Sequence, residues 1–292
     1  MQTALALPQA PGVIPPFNWY GGKFYLSKRL LPHLPAHDLY VEPFAGSAAL
    51  FYRKPAAERE IVNDIDYWLM CIHRAIRSGR ILPALGRSNK TTKAQWHALR
   101  RRVLNEWRST ESEDGATALR LACASYSYCR GRSYSEKQAR GRHCRGGHGT
   151  TVWEMVRHRL AMAREKIPQA VGRAAGAELT NEDGLSLLEC SLRNQRSLTF
   201  IDPPYIPTTQ GGKRNGDPYH SDPNFAALRE LLTATAPVGN AMLTIGAGCS
   251  PFFAEALSDA GWTLFGTRNN FGTGQQADHE IWVSGPGFRR IH

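Results

Sequence analysis

The strongest chemical signal in the sequence is Asp202-Pro203-Pro204-Tyr205, which follows directly on the mostly apolar run Leu198 to Ile201. A tetrapeptide at the end of a strand places its side chains in the crevice where open α/β sheets bind ligands. The two prolines fix the backbone and remove two N–H donors, leaving carbonyls to point into a site. A stiff strand-to-turn exit without chemistry would have the same composition, so the other motifs decide between the two readings.

Four further motifs precede it. Val41-Glu42-Pro43-Phe44-Ala45-Gly46-Ser47 lies between a strand and a helix, where a small residue plus glycine lets backbone approach a ligand closely. Its one glycine is not the Gly-x-Gly-x-x-Gly of a dinucleotide site, which disfavours a nicotinamide or flavin cofactor. Asn63-Asp64-Ile65-Asp66 follows the next strand, with Asp64 18 residues past Gly46. An acid there suits two ribose hydroxyls, while Asp66 suits a helix N-cap or first turn. Asn18-Trp19-Tyr20-Gly21-Gly22-Lys23 lacks the Walker spacing and is not a phosphate loop. Asn181-Glu182-Asp183-Gly184 stands one strand before Asp202.

Asp-Pro-Pro-Tyr resembles the catalytic motif of amino-methyltransferases acting on adenine or cytosine. The loop Val41 to Ser47 resembles the one that cradles the methionine part of S-adenosylmethionine. Trp19-x-Gly-Gly-Lys23 is similar to the N-terminal motif of Dam-type adenine methyltransferases. The five motifs occur in that family's order over most of the chain. The resemblance implies S-adenosylmethionine as cofactor, with Trp19, Gly22, Lys23, Glu42, Phe44, Gly46, Asp64, Asp183 and Asp202 around it. In the family an acid at the place of Asp183 meets the cofactor's adenine, and Glu182 could take that part instead. It also implies Asp202, Pro203, Pro204 and Tyr205 as the catalytic set. Asp202 and the Pro203 carbonyl would each accept one hydrogen of the amine, drawing its nitrogen toward sp³ geometry. Tyr205 would stack on a flipped-out base, since the target atom is out of reach within a stacked duplex. The chemistry needs no metal.

Charge points to the same partner. The chain carries 36 Lys and Arg against 25 Asp and Glu, for a net charge of +11. From Cys71 to Gly176 there are 22 basic and 7 acidic residues, while the remainder is net −4. The excess positive charge therefore sits in one central segment, whose simplest partner is a polyanion; the resemblance implies that it is double-stranded DNA. Between Arg130 and Gly149, Arg130, Arg132, Arg140, Arg142 and Arg145 alternate with glycine and small residues. Such a hairpin can enter the major groove, although most of its arginines would touch phosphate. The stretch Tyr128 to Tyr134 does not match the recognition hairpin of GATC-methylating members. Ile206 to Tyr219 is polar and glycine-containing, a lid-like loop in which Lys213 and Arg214 would reach phosphates. Cys123, Cys129, His143, Cys144 and His148 could be read as a zinc site, but their spacing matches no common pattern.

These motifs need elements to hold them. Strands are predicted at 39–44, 60–63, 177–180, 198–201, 241–245, 262–266 and 280–284, and helices at 47–53, 66–77, 225–235 and 251–260. Helical spacing also marks 93–107, 116–128 and 152–166. The expected fold class is α/β: a Rossmann-like S-adenosylmethionine-dependent methyltransferase sheet, doubly wound and parallel, with an inserted, mostly helical target-recognition domain. Residues 1–70 and 177–292 are expected to form the catalytic domain and residues 71–176 the basic insertion. Hydrophobic residues make up 42% of the chain, enough for a real core, and no apolar run reaches the length of a membrane span. The apolar, Pro-rich start to Pro16 reads as a loose tail. Six scattered cysteines suit a reducing cytoplasm, and the resemblance implies that of a bacterial or phage-infected cell. A monomer or weak dimer is expected. Cytosine amine methylation, RNA adenine methylation and a catalytically inactive DNA-binding protein are the alternatives. Protein glutamine methylation is disfavoured, because those enzymes resemble Asn-Pro-Pro-Tyr.

Overall fold

The computed structural model describes residues 12–19, 22–85, 115–116, 118–119, 152–204, 224–234, 236–246, 250–268 and 279–288. Seven strands form one sheet: β1 (Leu39–Glu42), β2 (Arg59–Asn63), β3 (Glu178–Thr180), β4 (Ser197–Ile201), β5 (Asn240–Gly246), β6 (Thr263–Arg268) and β7 (His279–Ser284). Their order is β3-β2-β1-β4-β5-β7-β6. The described helices are α1 (Phe24–Leu30), α2 (Ala49–Arg53), α3 (Tyr67–Arg77), α4 (Ile81–Leu85), α5 (Val152–Ala174), α6 (Gly184–Leu192), α7 (Phe225–Ala234) and α8 (Ser250–Asp259), with a 3₁₀ turn at Leu31–His33. Helices α1, α4 and α6 were not anticipated. They are short or lie in stretches where motif residues mask the apolar period.

The α/β sheet is parallel over five strands, as expected, and departs from that pattern only at one edge. Strands β1 to β5 pair in parallel, whereas β7 lies antiparallel between β5 and β6. The link from β6 to β7 spans only residues 269–278. A parallel return needs a crossover of a dozen or more residues, so the chain comes back as a hairpin.

Both faces of the sheet are covered, and the pleat sorts the side chains between them. In β5, Met242 joins one core cluster while Ala241, Leu243 and Ile245 join the other, and in β7 Ile281 and Val283 face away from Trp282. This period of two is what a strand buried on both sides requires. The first cluster collects residues of α1 to α5, and the second those of α6 to α8.

The core does not stop at residue 70. Helix α3 crosses the expected boundary, burying Leu69, Ile72, Ala75 and Ile76 along one face, and α5 returns with Leu160, Ala163, Ile167, Ala170 and Ala174 in the same cluster. Each fully buried leucine or isoleucine is worth roughly 1.5–3 kcal/mol, so both ends of the segment 71–176 are held on the sheet. Arg173 of α5 fastens this contact. Its guanidinium forks onto both carboxylate oxygens of Glu60, donates to the Phe51 carbonyl at 2.6 Å and lies over the Phe51 ring. Lys54 joins the same carboxylate at 2.6 Å. Buried charges persist only when paired and hydrogen-bonded in this way.

Among the described residues, no helix is long and apolar enough to cross a membrane. The expected helices at 93–107 and, apart from three residues, at 116–128 lie outside the described residues, as do the arginine-rich hairpin and the loop after Pro204.

Candidate active site

The strand order reverses between β1 and β4, and in an open α/β sheet the ligand crevice opens beyond the carboxyl ends of strands at that point. All five sequence motifs lie at this edge and are joined by direct contacts. Trp19 lies against the glycine turn: a Cβ on Gly46 would stand 3.3 Å from its ring. A Cβ on Gly22 would meet the Trp19 carbonyl at 2.9 Å and the Ser47 hydroxyl at 3.1 Å. Lys23, buried at the start of α1, reaches across to Asp202 at 2.6 Å. The resemblance put both Lys23 and Asp202 around the cofactor, and the structure pairs the two.

Gly46 has φ +53°, the left-handed region that favours glycine. Ala48 follows with φ +51°, a strained conformation for a residue with a side chain, immediately before α2. The turn is held at both ends of one residue. The Gly46 N–H donates to Asp64 Oδ2 at 2.9 Å, and the Gly46 carbonyl lies 2.9 Å from His73 Nε2. His73 therefore carries its proton on Nε2, leaving Nδ1 to accept from the Tyr52 hydroxyl at 3.2 Å. Burial holds the imidazole down at about 4, so it is neutral and donates only through Nε2.

Asp64 has a structural task beside any ligand contact. Its Oδ1 accepts from the Asp66 N–H at 2.9 Å while Oδ2 holds Gly46. Burial pushes its carboxyl up to about 6 against the pull of these N–H groups. Asp66 caps α3 through the Trp68 and Leu69 N–H groups, the helix-cap role anticipated for it. Asp183 is exposed and caps α6 through the Leu185 N–H. Gly184 beside it is required by packing, because a Cβ there would come within 2.5 Å of the Phe44 ring. Phe44 and Asp183 thus flank the same part of the crevice.

Asn63 ties three strand ends together. Its amide donates to the Pro43 and Glu182 carbonyls at 2.9 and 3.0 Å and accepts from the Thr180 hydroxyl and the Glu182 N–H at 2.8 and 2.9 Å. All four capacities of the side chain are used.

Glu42 is 1% exposed beneath the crevice. Its Oε1 accepts from the Tyr40 hydroxyl at 2.5 Å and the Phe51 N–H at 3.0 Å, while Oε2 has no hydrogen-bond partner among the described residues. Burial, reinforced by the charge of Asp202, pushes its carboxyl up to about 8. At neutral pH it is a protonated acid, the form that tolerates burial.

Asp202 follows β4 and is fixed by two donors on one oxygen, Lys23 Nζ and Thr244 Oγ1, each 2.6 Å from Oδ1. Thr244, His73 and Tyr52 were missed by sequence reasoning. Thr244 lies 42 positions from Asp202 and His73 lies 27 from Gly46, while Tyr52, near Gly46 in sequence, matters only through its contact with His73. Pro203 and Pro204 stand at the strand exit as expected. Tyr205, Lys213, Arg214, Arg130, Arg132, Arg140, Arg142 and Arg145 lie outside the described residues, as do Cys123, Cys129, His143, Cys144 and His148 of the zinc reading.

The arrangement fits S-adenosylmethionine. A glycine turn clamped open between β1 and α2, an aromatic ring against it, an acid at the end of β2 and a second at the end of β3 can line a nucleoside joined to an amino acid. Pairing the first motif with the last through Lys23 puts Asp202 beside that groove.

The family model of the D12 class N6 adenine-specific DNA methyltransferases matches residues 19–262, from Trp19 to Trp262. No match is found among the curated proteins. Of solved structures, the Escherichia coli protein yhhF, described as a methyltransferase, is similar at 12% identity and a TM-score of 0.36, covering 96% of this chain and 91% of its own. The family match takes in every motif of the crevice, and the chain belongs to the D12 class of N6 adenine-specific DNA methyltransferases, which use S-adenosylmethionine as methyl donor.

Proposed function

We propose that Asp202 and the Pro203 carbonyl form the acceptor pair for the N6 amine of an adenine flipped out of a specific DNA site. The observation that carries this reading is the meeting of Lys23 with Asp202 at 2.6 Å, where the first and last motifs converge at the switch point. The adenine amine is a weak nucleophile because its lone pair is delocalised into the ring. Two acceptors placed for a tetrahedral nitrogen favour the pyramidal form and the positive charge that develops on it. Pro204 stiffens the strand exit, and Tyr205 provides the face on which the base stacks. S-adenosylmethionine, when bound, supplies an electrophilic methyl group on a sulfonium.

Trp19, Gly22, Phe44 and Gly46 would hold the methionine side of the cofactor, with Glu42 supporting the loop from below. Asp64 would meet the ribose through the lone pairs that Gly46 and Asp66 leave, and Asp183 the adenine end. The ordering of the turn before any ligand arrives lowers the entropy lost on binding.

Target recognition belongs to the part of the basic segment between Leu85 and Val152 that the core leaves over, since the flanking helices and Ala116, Ala118 and Leu119 are spent on the core. Arg130, Arg132, Arg140, Arg142 and Arg145 would contact DNA there, with Lys213 and Arg214 adding phosphate contacts. The enzyme would act as a monomer or weak dimer in the cytoplasm of a bacterial or phage-infected cell.

The test is single-molecule sequencing of genomic DNA from a methylation-free host expressing the chain, with Asp202→Ala as control. The expected result is methyladenine in one short motif, absent in the control, while the purified variant still binds DNA. Normal turnover by Asp202→Ala would refute the assignment of Asp202. Methylcytosine would overturn the base assignment but keep the amine chemistry.

A further inference from the structure

Thr244 is a hydroxyl in a strand whose interior is otherwise apolar, from Ala241 to Ile245. It is fully buried in β5 among Ala241, Met242, Leu243 and Ile245. A buried hydroxyl without an acceptor costs roughly 1–3 kcal/mol, so the position needs a partner. That partner is Asp202. The register of β4 on β5 pairs Ile201 with Leu243, so the next residues along the two parallel strands are Asp202 and Thr244. The hydroxyl donates to Asp202 Oδ1 at 2.6 Å, the same oxygen that receives Lys23 Nζ.

The two donors are not equivalent. Lysine delivers its charge on a four-carbon stem that follows the carboxylate when it turns. Threonine is β-branched and its χ1 is stiff, so the direction of Oγ1 is set by the backbone of β5. An oxygen that accepts from two donors has its lone pairs occupied, and a substrate N–H then has to be met at Oδ2.

We propose that Thr244 is a positioning residue that fixes the rotation of the Asp202 carboxylate, and so decides which of its oxygens receives the adenine amine. This rests on the reading of Asp202 as amine acceptor. Without the hydroxyl the carboxylate keeps Lys23 but loses the donor whose direction the strand backbone fixes, and the acceptor pair for the tetrahedral nitrogen loses its alignment. Misplacements of this kind cost up to about 100-fold in the chemical step.

The experiment is single-turnover methyl transfer to duplex DNA carrying the enzyme's site, at saturating S-adenosylmethionine, using Thr244→Val, Thr244→Ser and Asp202→Asn. Valine keeps the branched shape in an apolar surrounding, and serine keeps the hydroxyl. For Thr244→Val the expected result is a rate lowered about 10- to 100-fold, with cofactor and DNA affinities and thermal midpoint close to wild type. Thr244→Ser should recover most of the rate. A wild-type rate in Thr244→Val would overturn the proposal, as would a loss that serine does not recover or one matched by weaker cofactor binding. Asp202→Asn separates the two levels. If it is inactive while Thr244→Val is fully active, only the role of Thr244 falls. If it turns over normally, the reading of Asp202 falls with it.

Discussion

Replacing Glu42 by Gln should make the protein more stable in mild base and should remove one component of its pH dependence. The carboxyl is 1% exposed, and its folded value of about 8 stands well above the ordinary 4.5. A group raised on folding contributes fully below its unfolded value, and that contribution is lost as pH rises through the folded one. The window for Glu42 is therefore 4.5 to about 8. Each unit costs about 1.4 kcal/mol, so the whole effect is on the order of 4–5 kcal/mol. Other groups overlap its lower part. Asp64 moves in the same direction but is finished near 6, and His73, lowered from 6.5 to about 4, works the opposite way below 6.5. Between pH 6.5 and 8 Glu42 stands apart from both, and the wild type should lose about 2 kcal/mol there relative to Glu42→Gln. Glutamine imitates the protonated acid: its oxygen accepts from Tyr40 and Phe51, and its amide nitrogen replaces the protonated oxygen. The assay is urea unfolding at half-unit steps across that window, with Asp202→Asn as a second background because the Asp202 charge helps to raise Glu42. Parallel pH profiles for wild type and Glu42→Gln would refute the reasoning, since they would mean that Glu42 ionises in the folded protein as readily as in the unfolded chain.

Two further predictions concern the turn and the strand ends. His73→Phe keeps the ring against Phe17 and Tyr52 but removes the donor to the Gly46 carbonyl, so affinity for S-adenosylmethionine should fall about tenfold, the equivalent of one lost hydrogen bond. Calorimetric titration checks this, and unchanged affinity would mean that the turn holds itself. Asn63→Ala strips four partners from the ends of β1, β2 and β3 and should cost about 2–4 kcal/mol of stability. Urea unfolding measures it, and a loss under 1 kcal/mol would show that water replaces the amide.

Much of the fold was legible because strands buried between two helical layers leave strong local patterns. Each of the seven strands was anticipated, with boundaries off by one or two residues, such as 60–63 against Arg59–Asn63 and 262–266 against Thr263–Arg268. The reversed β7 was not. Direction is decided by the length of a connection and by which edge remains open, and an apolar run carries neither. The expected boundary at residue 71 also reads differently in three dimensions. Positive charge marks what a surface can bind, whereas burial of Cys71, Ile72 and Ile76 marks where the core ends, and α3 carries both.

The sequence by itself determined the chemical inventory and its order along the chain: an aromatic-glycine-lysine motif, a one-glycine loop, an acid after each of the next strands, and Asp202 before two prolines. Those are properties of residue type and spacing, which a chain displays without folding. Only the tertiary structure decided which side chains touch. Lys23 reaches Asp202 from the other end of the motif series, Thr244 arrives through the register of β4 on β5, and His73 and Asp64 hold opposite ends of Gly46. The physical reason is that hydrogen bonds and ion pairs act over about 3 Å, whereas the residues they join here lie 18 to 179 positions apart in the chain.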